Sequence, residues 1–266
     1  MDESGTNGFS KVLAGKSALV IGGGGGGIGR AITRGLAAAG SGVAVADVDQ
    51  QRADEAAEEV AAAGAKAVSL SGDVRSRGVV DDLVRGAASE LGRLDILVTV
   101  VGGQLAFVPA APIHETTDED WDLMFDLNLR YVAHAVRATL RVFLAQGVGG
   151  TIVSIGSITG IAGSPMQAAY GAAKAGLASL ARSVAAEYSR EGVRMNLVTC
   201  GPIATPVAQA AQANPAPDWI PQGRSGSTNE VADATVFLAS PLSSHITGQS
   251  LVIDGGATAV GPFPIR

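Results

Sequence analysis

Cysteine occurs once in the 266 residues, at Cys200, so no internal disulfide framework holds the chain together and a reducing compartment suits it. Aromatic residues make up only 4% against 47% hydrophobic overall, so the core has to be assembled from Ala, Val, Leu and Ile. Cations are outnumbered, with 19 Lys and Arg against 25 Asp and Glu, and the resulting net charge of −6 with no basic stripe argues against nucleic acid as a partner. The three histidines, His114, His134 and His245, lie far apart without ligand spacing, so no metal site is expected, and His134 reads as a packed or interface residue. Apolar runs are broken by Gly or charge short of the roughly 18 residues a spanning helix requires. Met1 to Gly15 is polar, carries acidic residues at positions 2 and 3 and lacks the apolar stretch of a signal peptide. The expectation is a soluble, cytoplasmic protein with no membrane partner, a flexible tail over residues 1–15 and a single domain over 16–266.

Glycine, by contrast, is abundant, with 36 in the chain. Six of them, Gly22 to Gly27, follow the apolar run Ser17–Ile21 and open a helical stretch from Arg30 to Ala39. A glycine turn between a strand and a helix lets backbone approach a pyrophosphate while the helix N-terminus offers N–H donors and a favourable dipole. Gly23, Gly27 and Gly29 fall at the spacing G-x-x-x-G-x-G. Asp47, 24 residues after Gly23, ends the next apolar run, Val43 to Ala46. A carboxylate there accepts hydrogen bonds from adenosine ribose hydroxyls and repels a 2′-phosphate, which selects NAD over NADP. Neighbouring Val48 supplies no compensating charge, and Arg30 is expected to point along its helix.

The alternation continues with a helix over Asp49–Ala63, a strand over Lys66–Leu70, a helix over Val79–Leu91 and a strand over Leu94–Val101. One long helix is predicted from Asp118 to Gln146, capped by Thr116 or Thr117, with Thr116 and Glu119 matching a capping box. Further strands are expected at Thr151–Ser157, Val193–Thr199 and Ser250–Ile253, and a helix at Thr228–Ala239. Apolar rather than alternating strands separated by helices predict an α/β fold: a doubly wound, parallel, seven-stranded, Rossmann-like sheet with helices on both faces. Pro202 to Gly223, with five prolines, reads as a substrate loop.

The chemistry is expected on Ser164-Pro165-Met166-Gln167-Ala168-Ala169-Tyr170-Gly171-Ala172-Ala173-Lys174, with Pro165 as the first residue of a helix running to Tyr188. Tyr170 and Lys174 share one helical face, four residues apart. A phenol ionises near pH 10, and an ammonium one turn away favours its ionised form. Ser157 stands at the end of the preceding strand, where an open α/β sheet presents its chemistry. A serine hydrolase is disfavoured, because Gly156-Ser157-Ile158-Thr159-Gly160 is not a G-x-S-x-G elbow. Cys200 reads as a small buried filler or cofactor neighbour.

In order, and from about Lys16 to Gly256, these motifs resemble the short-chain dehydrogenase/reductase family. The resemblance matches Gly23, Gly27, Ile28 and Gly29 to the family's glycine turn, Asp73 and Val74 to its adenine contact, and Asn128, Ser157, Tyr170 and Lys174 to its catalytic tetrad. Gly102, Ile203 and Thr205 match further cofactor contacts, the last two beside the nicotinamide carboxamide. It implies that Tyr170 exchanges the proton on the substrate oxygen, that Ser157 orients that oxygen, that Lys174 lowers the phenol pKa and binds the nicotinamide ribose, and that Asn128 holds a water linking Lys174 to solvent. The chain departs from the pattern at Gly22, where the family has Thr, at Thr99-Val100-Val101-Gly102, where it has Asn-Asn-Ala-Gly, and at Cys200-Gly201-Pro202, where a proline is shifted. The expected activity is NAD(H)-dependent interconversion of a hydrophobic secondary alcohol and its ketone, steroid-like or cyclic, with a 3-oxoacyl-thioester reductase or a non-catalytic dinucleotide sensor as alternatives. Gln104, Leu105, Ile158, Met166, Gln167, Tyr170 and the segment around Val207 are expected to line the substrate site. Family members commonly form homotetramers, and residues 257–266 are expected to reach a neighbouring subunit.

Overall fold

The apolar runs form seven strands, β1 (Ser17–Ile21), β2 (Gly42–Asp47), β3 (Ala67–Ser71), β4 (Ile96–Thr99), β5 (Gly150–Ser157), β6 (Val193–Cys200) and β7 (Ser250–Ile253). The inner five are largely buried inside the sheet, while the edge strands β3 and β7 are half-buried and exposed respectively. All neighbours pair in parallel, in the order β3-β2-β1-β4-β5-β6-β7. The computed structural model describes residues 11–104, 106–210 and 219–259. Helices α1 (Ile28–Ala38), α2 (Gln50–Ala62), α3 (Arg77–Leu91), α4 (Asp118–Phe125), α5 (Tyr131–Gln146), α6 (Ala168–Tyr188), α7 (Pro206–Ala210) and α8 (Thr228–Ala239) supply the crossovers and the segments around them.

Period-two alternation sends each strand into two cores. Leu19 and Ile21 of β1 join Val80, Leu83, Tyr131 and Leu177 from α3, α5 and α6 on one face. Ala18 and Val20 join Ile32, Leu36, Val231 and Val236 from α1 and α8 on the other. The strand order reverses between β1 and β4, and the crevice at such a switch point is where open α/β sheets bind ligands.

Five local expectations are corrected by the structure. The long helix is interrupted by a π turn, Asp126–Arg130, between α4 and α5. It is capped by Thr117, whose hydroxyl accepts from Asp120 N–H at 3.1 Å while the Asp120 carboxylate accepts from Thr117 N–H at 3.0 Å. Thr116 is diverted, its hydroxyl accepting from the Trp121 indole at 3.0 Å. Pro165 lies outside α6, which starts at Ala168, because Met166 adopts φ +62° and the chain cannot run helically through it. β4 ends at Thr99 because Val100 and Val101 N–H both turn to the Ile21 carbonyl, at 2.9 and 3.4 Å. Toward the N-terminus, Leu13 is 1% exposed and its N–H donates to Ala39 O at 2.8 Å, so the chain enters the core within the stretch expected to be tail. Residues 1–10 and 260–266, and residues 211–218 of the expected substrate loop, lie outside the described residues. Among the described residues no helix is long and apolar enough to cross a membrane.

Candidate active site

The glycine turn leaves β1 and closes onto α1 with almost no room to spare. A Cβ on Gly29 would lie 1.9 Å from Gly22 O, so only glycine permits the first turn of α1 to sit on the end of β1. Gly25 and Gly26 present open backbone, with nothing closer than 4.0 Å to where a side chain would begin. At the mouth of α1, Gly27 supplies no side-chain cap, and no acidic residue stands in the first helical turn. Uncapped N–H groups at a helix N-terminus facing bare backbone suit a pyrophosphate. Gly23 is different from what its spacing implies: it lines neither cavity of the site, and a Cβ there would meet Thr33 Oγ1 at 2.8 Å and Val20 and Val45 at 3.0 Å. The absence of a side chain lets the turn pack on α1 and the core at this position.

Two cavities open at the carboxyl ends of the strands and meet at Gly27, Val100 and Gly102. The first, of about 540 Å³, is bounded by Gly29, Asp47, Val48, Asp73, Val74 and Arg75. Asp47 Oδ1 accepts from Asp49 N–H at 3.2 Å, which fixes the carboxylate at the end of β2, beside the 69% exposed Val48. Arg30 does not enter this cavity; its guanidinium is paired with Glu59 at 3.0 Å through both Nε and Nη2. Asp73 is gripped by the Arg75 guanidinium, with Nε at 2.9 Å from Oδ2, and the hydrogen bonds of that pair lower its pKa.

The second cavity, of about 600 Å³, holds Ser157, Tyr170 and Lys174 together with Gly102, Ile28, Ile203 and Thr205. β5 ends at Ser157, and α6 returns across the sheet so that Lys174 Nζ donates to Ile155 O at 3.0 Å. The ammonium is 5.7 Å from the centre of the Tyr170 ring. Ser157 Oγ accepts from Thr159 N–H at 3.3 Å and from Thr159 Oγ1 at 3.0 Å. Its acceptor capacity is therefore used, and its own proton is left to donate into the cavity. Thr159 is a contributor that spacing alone did not single out. Thr205 Oγ1 accepts from Ala208 N–H at 3.1 Å and caps α7, while Ile203 bridges to Gly226.

The electrostatics differ from the simple ion-pair picture. Burial raises the Tyr170 phenol above its ordinary value, opposed by a hydrogen bond with Ser157 and reinforced by Cys200. Burial also lowers Lys174 to about 8, and pushes Cys200 up to about 12, with Lys174 pulling the thiol back. The net shift of the phenol is upward because burial is its largest cause, so at neutral pH Tyr170 is a proton donor next to a cation.

Asn128 stands in the π turn, fully buried, and lines neither cavity. Its Oδ1 accepts from Gly103 N–H at 2.9 Å, and its Nδ2 donates to Gly103 O at 3.2 Å and Met124 O at 3.0 Å. The side chain is consumed in holding the loop after β4, so its action on the site is exerted through that loop. Gly102 fits underneath at φ +145°, where a Cβ would lie 2.4 Å from Asn128 Oδ1 and 3.2 Å from Lys174 Nζ. Tyr131, one turn further on and not singled out from sequence, donates from its hydroxyl to Val101 O at 2.8 Å and braces the same loop.

Of the expected substrate-lining residues, Gln104, Ile158, Gln167, Tyr170 and Val207 line the second cavity, Met166 does not, and Leu105 lies outside the described residues. Gln104 Nε2 donates to Met166 O at 2.9 Å and Pro109 O at 3.3 Å, which ties the β4 loop to the turn before α6. Phe107 and Trp219 complete the apolar rim and were not anticipated. Among the described residues no group of three or more His, Cys, Asp or Glu could hold a metal ion.

A parallel sheet with a glycine turn at its switch point and a Ser/Tyr/Lys cluster alongside defines a dinucleotide-binding oxidoreductase. Residues 23–258 match the family model described as Enoyl-(Acyl carrier protein) reductase. The chain is 38% identical over 244 residues to a cis-4-hydroxycyclohexanecarboxylate dehydrogenase of Sinomonas cyclohexanicum, covering 91% of this chain and 96% of that one. It is 35% identical over 232 residues to a 3-oxoacyl-[acyl-carrier-protein] reductase of Synechocystis, covering 86% and 92%. The crystal structure of a short-chain type dehydrogenase/reductase from Mycobacterium marinum superposes with a TM-score of 0.86 at 31% identity, over 95% of this chain and 98% of that one. The chain belongs to the short-chain dehydrogenase/reductase family, whose members bind nicotinamide dinucleotides and act as oxidoreductases on CH–OH groups.

Proposed function

We propose that this protein is an NAD(H)-dependent dehydrogenase/reductase that interconverts a hydrophobic cyclic secondary alcohol and its ketone. The observation that carries this reading is the continuity of the two cavities: the Tyr170 hydroxyl, Ser157 and Lys174 stand in one, and the glycine turn with Asp47 in the other. The residues fit a dinucleotide on the bare backbone of Gly25 to Gly27 and the uncapped start of α1. When bound, that cofactor supplies the hydride donor or acceptor. Tyr170 hands its proton to the substrate oxygen in reduction and takes it back in oxidation; Ser157 donates a hydrogen bond to the same oxygen and orients it. Lys174 keeps a positive charge behind the phenol below about pH 8, which favours the proton leaving Tyr170 Oη.

Ile158, Phe107, Val207 and Trp219 make the reaction end of the cavity apolar, and Lys174 is the only cation among its described lining residues. Among the described lining residues no cation besides Lys174 is therefore available to clamp a substrate phosphate or carboxylate. The ring alcohol named for the Sinomonas relative supports the cyclic part of this reading alone, because that compound also carries a carboxylate. The Synechocystis relative supports a 3-oxoacyl thioester as the second reading. The test is absorbance at 340 nm with NAD and a panel of cyclic, linear and charged secondary alcohols, and with NADH and a 3-oxoacyl thioester. Turnover led by neutral cyclic alcohols is expected; a thioester turned over faster than any of them would replace the first reading by the second. Tight NADH binding without turnover of any compound would instead favour a sensor.

Asp47 supports NAD over NADP, because its carboxylate stands at the end of β2 with no cation from Arg30 to offset it. Asp47→Asn is expected to erode the NADH-over-NADPH preference by about tenfold, the effect of relieving roughly 1.4 kcal/mol of charge repulsion. Ratios of kcat/KM for the two cofactors check this, and an unchanged ratio would remove Asp47 as the discriminating group.

A further inference from the structure

The glycine turn carries a structural difficulty. Six successive glycines lose more conformational freedom on ordering than any other sequence, and Gly22 brings no side chain with which to tie the turn down. An ordered anion cradle therefore needs bonds from outside the turn. Arg30, on α1 directly after it, supplies them: Nη1 donates to Gly24 O at 2.9 Å and to Arg52 O, in the first turn of α2, at 3.3 Å. The rest of that guanidinium is held in place by one carboxylate on α2. Glu59 Oε2 accepts from Arg30 Nε and Oε1 from Arg30 Nη2, both at 3.0 Å. Arg34, one helical turn beyond Arg30, grips the same carboxylate with Nε at 2.6 Å and Nη2 at 2.9 Å. These hydrogen bonds hold Glu59 down at about 2, so the pair stays ionised throughout the working pH range. The Arg30 side chain is only 13% exposed, and a second carboxylate, Glu55, stands 3.9 Å from its Nη2.

We infer that Glu59 is a positioning residue for dinucleotide binding: it fixes Arg30 so that Arg30 holds the Gly24 carbonyl outward, and the turn keeps its N–H groups aimed at the pyrophosphate. This rests on the dinucleotide reading of the site. Bidentate pairing fixes the plane of a guanidinium as well as its position, which a lone point charge would not do. Pulling one carbonyl away from the ligand face also removes a partial negative charge from where an anion binds. The effect is exerted on ground-state affinity, because neither Glu59 nor Arg30 reaches the cavity that holds Tyr170.

The experiment is titration of NADH fluorescence on wild type, Glu59→Gln, Glu55→Gln/Glu59→Gln, Arg30→Gln and Arg34→Gln, with amide hydrogen exchange of residues 22–29 in the same proteins. Glu59→Gln and Arg30→Gln are expected to weaken NADH binding about fivefold, the size of one lost hydrogen bond. The double variant is expected to weaken it further, because Glu55 can no longer take over. Exchange in the turn should quicken, and the loss should appear in the KM for dinucleotide rather than in kcat. Arg34→Gln, which removes a grip on Glu59 but no bond to the turn, should lie within about twofold of wild type. Equal affinity in wild type and Arg30→Gln, or equal losses in Arg34→Gln and Arg30→Gln, would overturn the brace while leaving the dinucleotide site intact. A wild-type protein that binds neither NADH nor NADPH would overturn the site reading and the brace with it.

Discussion

Tyr170→Phe is expected to lower kcat by about 100- to 10,000-fold, the usual contribution of a positioned acid or base. The magnitude follows from what the change removes and what it spares. Tyr170 packs its ring against the small cluster of Val108, Met124 and Ala169, and phenylalanine keeps that packing. Only the hydroxyl is lost, so thermal stability and cofactor affinity should change little while turnover collapses. The direction of the pKa shifts adds a second handle. Burial raises the phenol, so at pH 7 the proton is in place for ketone reduction, whereas alcohol oxidation needs the phenolate and should gain as pH rises. Lys174, lowered to about 8, loses its charge over the same interval, so the alkaline gain in oxidation should bend over above that pH. The buried ammonium also bears on stability. Its folded value lies below the ordinary 10.5, so the charged form is the one the fold disfavours; the penalty is present below about 8 and is relieved between there and 10.5. Initial rates in both directions from pH 6 to 10 would measure these effects. A Tyr170→Phe enzyme with more than a tenth of wild-type turnover would remove the hydroxyl from the proton path.

Sheet, crossovers and glycine turn were legible in the sequence because each rests on a local, periodic signal. The inner strands, buried on both faces, read as unbroken apolar runs; the exposed edge strand β7 (Ser250–Ile253) and helix α8 (Thr228–Ala239) also occupy the spans expected of them. One miss was local: Thr116 with Glu119 matched a capping box, but the Trp121 indole occupies the Thr116 hydroxyl and Thr117 caps with Asp120. What else was not legible depends on contacts between distant segments. The start of α6 was displaced past Pro165 by Met166, whose left-handed backbone comes with a hydrogen bond from Gln104, 62 residues away. The π turn at Asp126–Arg130 leaves no trace in hydrophobic spacing, yet it carries Asn128, and such turns concentrate at functional positions.

The candidate site was legible as residue identities and not as electrostatics. Spacing puts Tyr170 and Lys174 on one face, but the sign of the phenol shift depends on how completely α6, Cys200 and β5 exclude water, which no spacing rule contains. Asn128 and Tyr131 illustrate the same limit. Both act on the loop after β4, Asn128 through Gly103 and Tyr131 through Val101, and a family match to Asn128 conveys nothing of that bracing. Glu59, whose carboxylate holds two arginines of the preceding helix, looked like any other acidic residue on an exposed helical face.

Gly29→Ala is expected to abolish measurable dinucleotide binding and to cost about 3 kcal/mol of stability, at the upper end of overpacking effects. Helix propensity alone argues the opposite, since alanine in the first turn of α1 should stabilise it by up to about 1 kcal/mol over glycine. Sterics decide the matter. The added Cβ would stand 1.9 Å from Gly22 O, 2.9 Å from Gly22 C and 3.2 Å from Gly23 Cα, all backbone atoms that no rotamer can move. The turn cannot yield, because Gly22 and Gly23 N–H are both anchored on Ala46 O, at 2.7 and 3.1 Å. α1 would have to lift instead, pulling Ile32 and Leu36, both fully buried, out of the core beneath the sheet. Either movement displaces the helix N-terminus from the glycine backbone it completes. Gly26→Ala provides the contrast, its nearest neighbour to an added Cβ being Pro206 Cγ at 4.0 Å, and it should melt within about 2 °C of wild type, as a surface change of under 0.5 kcal/mol would. Thermal melts with and without NADH separate the outcomes: in its absence wild type and Gly26→Ala melt together and Gly29→Ala several degrees lower, and in its presence wild type gains while Gly29→Ala does not.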